Sequence, residues 1–194
     1  MTTTQAQELV QKLQEQGVEF VAGLTNEEIT QVEQQFGFTF PPDLKQFLQT
    51  ALPVSGKFYD WRKALTDKEV ADHVREMLYW PLEGILYDIE ENKFWYQPWG
   101  PRPELMEEQK RIATQKIAAY PVLIPVVSHR YIPATPHAAG SPVFSAYQTD
   151  IICYGNNLAQ YFSEEFFIEL SDSFTRVEAP VTIEFWTDLV HLNG

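Results

Sequence analysis

Cysteine is nearly absent from this chain: Cys153 stands alone among 194 residues, so no intrachain disulfide can form. Its setting, the apolar run DIICYG, suits a small core residue better than a nucleophile. Positive charge is scarce as well. Fourteen Lys and Arg face 27 Asp and Glu, a formal net charge of −13, and such a chain repels phosphate backbones, which excludes nucleic acid as the expected partner. No apolar run approaches the ~20 residues of a membrane span. The start, MTTTQAQELVQKLQEQG, has neither a basic opening nor an apolar h-region, so no secretory signal is expected and the cytoplasm is the expected location. Also missing are Gly-x-Ser-x-Gly, a Walker-type loop and His-Glu-x-x-His.

What is present is a well-patterned globular sequence. Hydrophobic residues make up 44% and aromatics 14%, enough for a real core in one domain. The clearest signal runs from Leu24 to Ala51. Thr25 with Glu28 has capping-box spacing, and Ile29, Val32 and Phe36 share a helical face. Gly37 suits a left-handed C-terminus, Pro42 suits the first turn of a second helix, and Leu44, Phe47 and Leu48 form its apolar stripe. Before this pair, an amphipathic helix carries Leu9, Val10 and Leu13 and stops near Gly17.

Further along, LTDKEVADHVREMLYW predicts a helix capped by Thr66 with Glu69 and ended by Pro81. GILYDIEENKFWY reads as a hairpin turning at Glu90-Glu91-Asn92. The rigid link QPWGPRP leads to a helix from about Glu104 to Ala119. VLIPVV and the segment around Tyr131 and Ile132 read as strands, Pro125 marking an edge or a bulge. Two more strands flank Gln148-Thr149-Asp150. NLAQYFSEEFFIEL reads as a helix with Leu158, Phe162, Phe166 and Leu170 four apart, and VTIEFWTDLVHL as a closing helix. Strands and helices do not alternate regularly, which argues against a doubly wound fold.

The block LTNEEITQVEQQFGFTFPPDLKQFLQTA resembles the N-terminal signature of the SUKH superfamily, which holds fungal cell-wall assembly regulators and bacterial toxin-immunity proteins. GSPVFSAYQTDIICYGNNLAQYFSEEF resembles the superfamily's second block, and WPLEGILYDIEENKFWYQPWGPRP with PVLIPVVSHRYIP resembles a bacterial branch. The resemblance implies an α+β domain with a mostly antiparallel sheet and packed helices: a lead-in over 1–23 and a SUKH-like domain over 24–194, one compact unit. It implies a binding module and not an enzyme. The long disordered tails of the fungal members have no counterpart here, which points to the bacterial immunity type, a protein that neutralises a toxin by binding it.

The candidate chemistry is thin. Of His73, His129, His137 and His191, only His129 and His137 lie near each other in sequence, and neither has a Cys or carboxylate at zinc-ligand spacing, so no metal and no cofactor is expected. Ser128, His129 and Asp150 have the residue types of a hydrolytic triad, types that most chains contain. Partner-binding candidates are Trp95, Tyr96, Trp99 and Arg102 together with His129, Arg130 and Tyr131, since aromatics beside arginine anchor interfaces. The same residues also suit a small polar ligand, or simple packing under the proline-rich link. Acid concentrates at the end: Glu164, Glu165, Glu169, Asp172, Glu178, Glu184 and Asp188 against Arg176 alone, a balance of −6 over 161–194. Glu164 and Glu165 are the candidates for steering a basic partner such as a toxin domain; the plainer reading is a solubilising surface. A regulatory interaction module and a small-ligand sensor remain the alternatives.

Overall fold

The computed structural model describes residues 1–175, 177 and 181–193. Helix α1 (Thr3–Glu15) is closed by a capping box between Thr2 and Gln5. Strand β1 (Phe20–Ala22) follows and pairs antiparallel with β2 (Ala51–Pro53). Between them lie α2 (Asn26–Phe36) and α3 (Pro42–Thr50). Their local chemistry is as the sequence predicts: Thr25 and Glu28 make the capping box, Gly37 caps in the left-handed region at φ +75°, and Pro42 occupies the first turn of α3. Ile29, Val32, Leu44, Phe47 and Leu48 are buried. Phe36 is only half-buried; its ring packs on Trp61 and Phe38 under the Arg75 guanidinium.

Helix α4 corrects three expectations. It runs from Lys68 to Glu91, straight through Pro81, and Gly84–Glu91 is its last part and not a hairpin arm. A proline ring removes the N–H that would bond the carbonyl four residues back, here that of Met77. The Tyr131 hydroxyl donates to that carbonyl at 3.0 Å, so the orphaned acceptor is satisfied and the helix continues. Ile85 and Ile89, fully buried at four-residue spacing, hold the later turns against the core. The N-cap is Asp67, which accepts from the backbone N–H groups of Glu69 and Val70; Thr66 plays no such part.

After a short 3-10 turn at Gln97–Trp99 comes α5 (Met106–Ile117), then four strands: β3 (Leu123–Val127), β4 (Arg130–Pro133), β5 (Val143–Tyr147) and β6 (Asp150–Gly155). They form one antiparallel sheet in the order β3-β4-β5-β6. β3 is an edge strand with a register shift between Pro125 and Val127, as proline demands. Helix α6 (Leu158–Glu165) ends earlier than its four-residue repeat suggests, and Phe166 caps it; α7 (Asp172–Thr175) and α8 (Trp186–Asn193) complete the chain.

The pleat sends alternate side chains to opposite faces. Ile124, Ile132 and Val143 face a cluster built with α1, α2, α3 and α6. Leu123, Tyr131, Phe144, Ala146 and Ile151 face a second cluster with Ile85 and Ile89 of α4, Ala113 and Ile117 of α5, and Trp186 and Leu189 of α8. The sheet is therefore buried on both faces, except toward the β5–β6 turn.

Candidate partner-binding site

The candidate residues fall into groups with different fates. Trp95, Tyr96, Trp99 and Arg102 do come together, as a packing unit. Trp95 and Trp99 meet edge to face at 5.3 Å, and Trp99 stacks on Phe185 at 5.6 Å. The indole of Trp95 donates to the Gly100 carbonyl and that of Trp99 to the Tyr120 hydroxyl. Tyr96 is buried and donates to Asp188, and burial first, then that carboxylate, pushes its phenol pKa up. Arg102 makes four hydrogen bonds: two to Gln109 Oε1, one to the Ile89 carbonyl and one to the Lys93 carbonyl. It thus closes the C-terminal end of α4, where cations are favoured. Only the outer side of Trp95 and Tyr96 remains accessible, along a groove shared with Pro98, Thr149, Leu189 and Leu192.

Tyr131 points the other way from its neighbour Arg130. It is fully buried beneath α4, so no partner reaches its ring. Burial pushes its phenol pKa up, which keeps the hydroxyl a donor.

Arg130 lies on the α6 face of the sheet. Its Nη1 donates to Ser145 Oγ at 3.0 Å and to His129 Nε2. Its guanidinium covers the Tyr154 ring at 3.9 Å, and Nε faces Glu165 at 3.4 Å across the end of α6. Because arginine only donates, His129 Nε2 accepts and the ring proton sits on Nδ1, directed at Ser128 Oγ 3.2 Å away. Burial, then Arg130, then Lys57, lowers the His129 pKa. The imidazole is neutral, carries no carboxylate on either nitrogen and presents its proton to the serine. That is the wrong tautomer for a base, and Ser128 and His129 do not make a nucleophile pair. No group of three or more His, Cys, Asp or Glu among the described residues could hold a metal ion.

The surface next to Arg130 is open. Ser145 pairs across with Arg130 and with Ile152, so these side chains share one face, while the Tyr147 ring at the end of β5 turns toward Trp80 of α4. Tyr147 is 57% exposed and Ile152 47%. At the other side, two residues past Glu165, Phe167 is 90% exposed and sits at φ +53°. Glu164 and Glu169 beside it are exposed. Glu165 is partly withdrawn by its pairing with Arg130. Arg176, Glu178 and the Asp172 side chain lie outside the described residues. Phe167 is the residue that sequence reasoning missed, although a stripe through Phe162 and Phe166 already places Phe167 off the buried face.

A mixed α+β scaffold that leaves Tyr147, Ile152 and Phe167 exposed fits a protein-interaction module. The chain belongs to the SMI1 / KNR4 family (SUKH-1), whose model matches residues 23–127. That match takes in α2, α3, α4, α5 and β3 and establishes SUKH superfamily membership; the superfamily is generally non-enzymatic. Searches of curated proteins and of solved structures find no significant match. No described helix is long and apolar enough to cross a membrane.

Proposed function

We propose that this chain is a cytoplasmic bacterial immunity-type protein, which neutralises a basic toxin domain by holding it against the exposed part of β6 and the end of α6. In this reading residues 1–23 are a lead-in folded onto the domain 24–194, and the whole binds as one unit without catalysing a reaction. One observation carries the proposal: Phe167 stands 90% exposed in a left-handed conformation, φ +53°, that bulky residues rarely adopt. A large apolar side chain held outward at a conformational cost, with Glu164 and Glu169 around it, has the make-up of an interface anchor. Ile152 is a further exposed apolar side chain, and the net charge of −13 steers a basic partner toward this surface.

The test is parallel capture from source cells on wild type and on Phe167→Ser. The expected result is a basic protein held by wild type and lost by the variant, whose toxicity is relieved by co-expressing wild type alone. With that protein in hand, Glu164→Lys with Glu169→Lys slows association and flattens its salt dependence, leaving dissociation nearly unchanged. A partner held equally by all variants overturns the site, and reproducible turnover of a substrate overturns the non-enzyme reading. A second reading, a small-ligand sensor, is favoured only by the groove beside Trp95, with a volume of about 480 Å³. Thermal stabilisation by a metabolite, lost on Trp95→Ala, would support it.

A further inference from the structure

We infer that a cleft between α4 and the β5–β6 turn takes one arginine side chain of the basic partner; this rests on the reading of the chain as a protein binder. Trp80, Glu83, Gly84 and Tyr87 fall at i, i+3, i+4 and i+7 along α4 and line one wall, while Tyr147 and Gln148 line the other. Trp80 is 39% exposed and Tyr87 52%, and the Trp80 and Tyr147 rings stand 6.4 Å apart at 54°. Three aromatic rings therefore border one small space in water.

The cleft is built and not incidental. Gly84 lets the turn approach so closely that a Cβ there would lie 2.6 Å from the Gln148 Cα. Gln148 itself turns at φ +57°. Asp88, one turn further on and 3% exposed, accepts from both the backbone N–H (2.8 Å) and the hydroxyl (2.6 Å) of Thr149. Those bonds lock the turn against the helix.

The chemistry selects the occupant. The space is about 220 Å³, below the ~300–1,000 Å³ of a small-molecule pocket, so it fits one side chain. Its only charged wall residue is Glu83, which has no ion pair among the described residues, and no basic residue lines it. Asp150, exposed and paired with Tyr147 across the turn, adds to the negative charge of the neighbourhood. Aromatic faces attract a cation through their quadrupoles, and a planar, weakly hydrated guanidinium stacks on them while bonding a carboxylate. An apolar occupant would strip water from Glu83 and return nothing.

The experiment is an NMR titration of the full chain with the capped tripeptide Gly-Arg-Gly and with its citrulline counterpart, which keeps the shape and drops the charge. The expected result is saturable shifts of the Trp80 indole N–H and the Gln148 amide with the arginine peptide alone, at millimolar affinity. Glu83→Gln, an isosteric change at an exposed site, weakens binding about two- to fivefold, and Tyr147→Ala removes it. No shift at these two groups, equal shifts with citrulline, or unchanged affinity in both variants overturns the proposal. The titration uses no partner protein, so it can fail while partner capture succeeds, and succeed while capture fails.

Discussion

The hydrogen bond from Tyr131 to the Met77 carbonyl is expected to be the condition on which α4 passes Pro81, and a double-mutant cycle measures it. In Tyr131→Phe the ring stays and only the hydroxyl goes, at a residue with no exposed surface. The Met77 carbonyl, which Pro81 cannot serve, then loses the donor 3.0 Å away. A buried acceptor left without a partner costs about 1–3 kcal/mol, against roughly 1 kcal/mol for an average net hydrogen bond. In a Pro81→Ala background the new backbone N–H can bond the same carbonyl, and removing the hydroxyl orphans nothing. Tyr131→Phe is therefore expected to cost at least about 1 kcal/mol less there than in wild type, a coupling within the range seen for contacting groups. Urea unfolding of the four proteins at one pH reads this from the midpoints, given a common m-value. An equal cost of Tyr131→Phe in both backgrounds refutes the argument, because the hydroxyl would then stabilise something other than the proline's missing bond.

Two further outcomes follow from the α2–α3 region. Glu28 caps α2 and pairs with Arg62 Nε at 2.5 Å and Nη2 at 3.0 Å, and the Arg62 hydrogen bond is the main reason its pKa drops from 4.5 to about 2. The folded pKa is depressed, so the stabilisation is present above the unfolded value and is lost as pH falls through the folded one. Glu28→Gln keeps the cap acceptor and removes the charge; it is expected to cost about 1 kcal/mol at pH 7 for this partly exposed pair, a difference that shrinks from pH 5 downward in urea melts across a pH series. Phe47, buried between Phe162 at 5.1 Å and Phe20 at 6.0 Å, should cost about 3–5 kcal/mol on truncation to Ala by chemical denaturation; a loss under about 1 kcal/mol would contradict its place in the core.

The sequence shows most where structure is local. Thr25, Glu28, Gly37 and Pro42 act through backbone groups within a few residues, so α2 and α3 are readable from spacing alone. Pro125 is equally local: a missing donor confines β3 to an edge. The misreading at Pro81 has the opposite origin. Whether a proline ends a helix depends on who satisfies the carbonyl it orphans, and here the donor stands 54 residues away on β4. The site divides the same way. Aromatics and arginine near residues 95–102 carry the composition of an interface, yet the Ile89, Lys93 and Gln109 acceptors that claim Arg102 are seen only in space. Likewise Glu165 looks as free as Glu164 until Arg130 is placed beside it.

Helix α4 connects these observations. Val74 faces one hydrophobic cluster and Ile85 and Ile89 the other, so the helix crosses from one side of the sheet's packing to the other. Tyr131 ties its middle to β4, Asp88 ties its later part to the β5–β6 turn, and Arg102 closes its end. A helix stopped at Pro81 would present neither Glu83 nor Tyr87, and Tyr147 would face open water. The family match ends at residue 127, whereas Tyr147, Ile152 and Phe167 lie beyond it. The proposed surface is thus composite: the matched region supplies the scaffold and one wall of the cleft, and the later strands and the segment after α6 supply the exposed apolar residues. Partner choice can then change through β5, β6 and the end of α6 while Thr25, Glu28, Gly37 and Pro42, which only fold the chain, stay as they are.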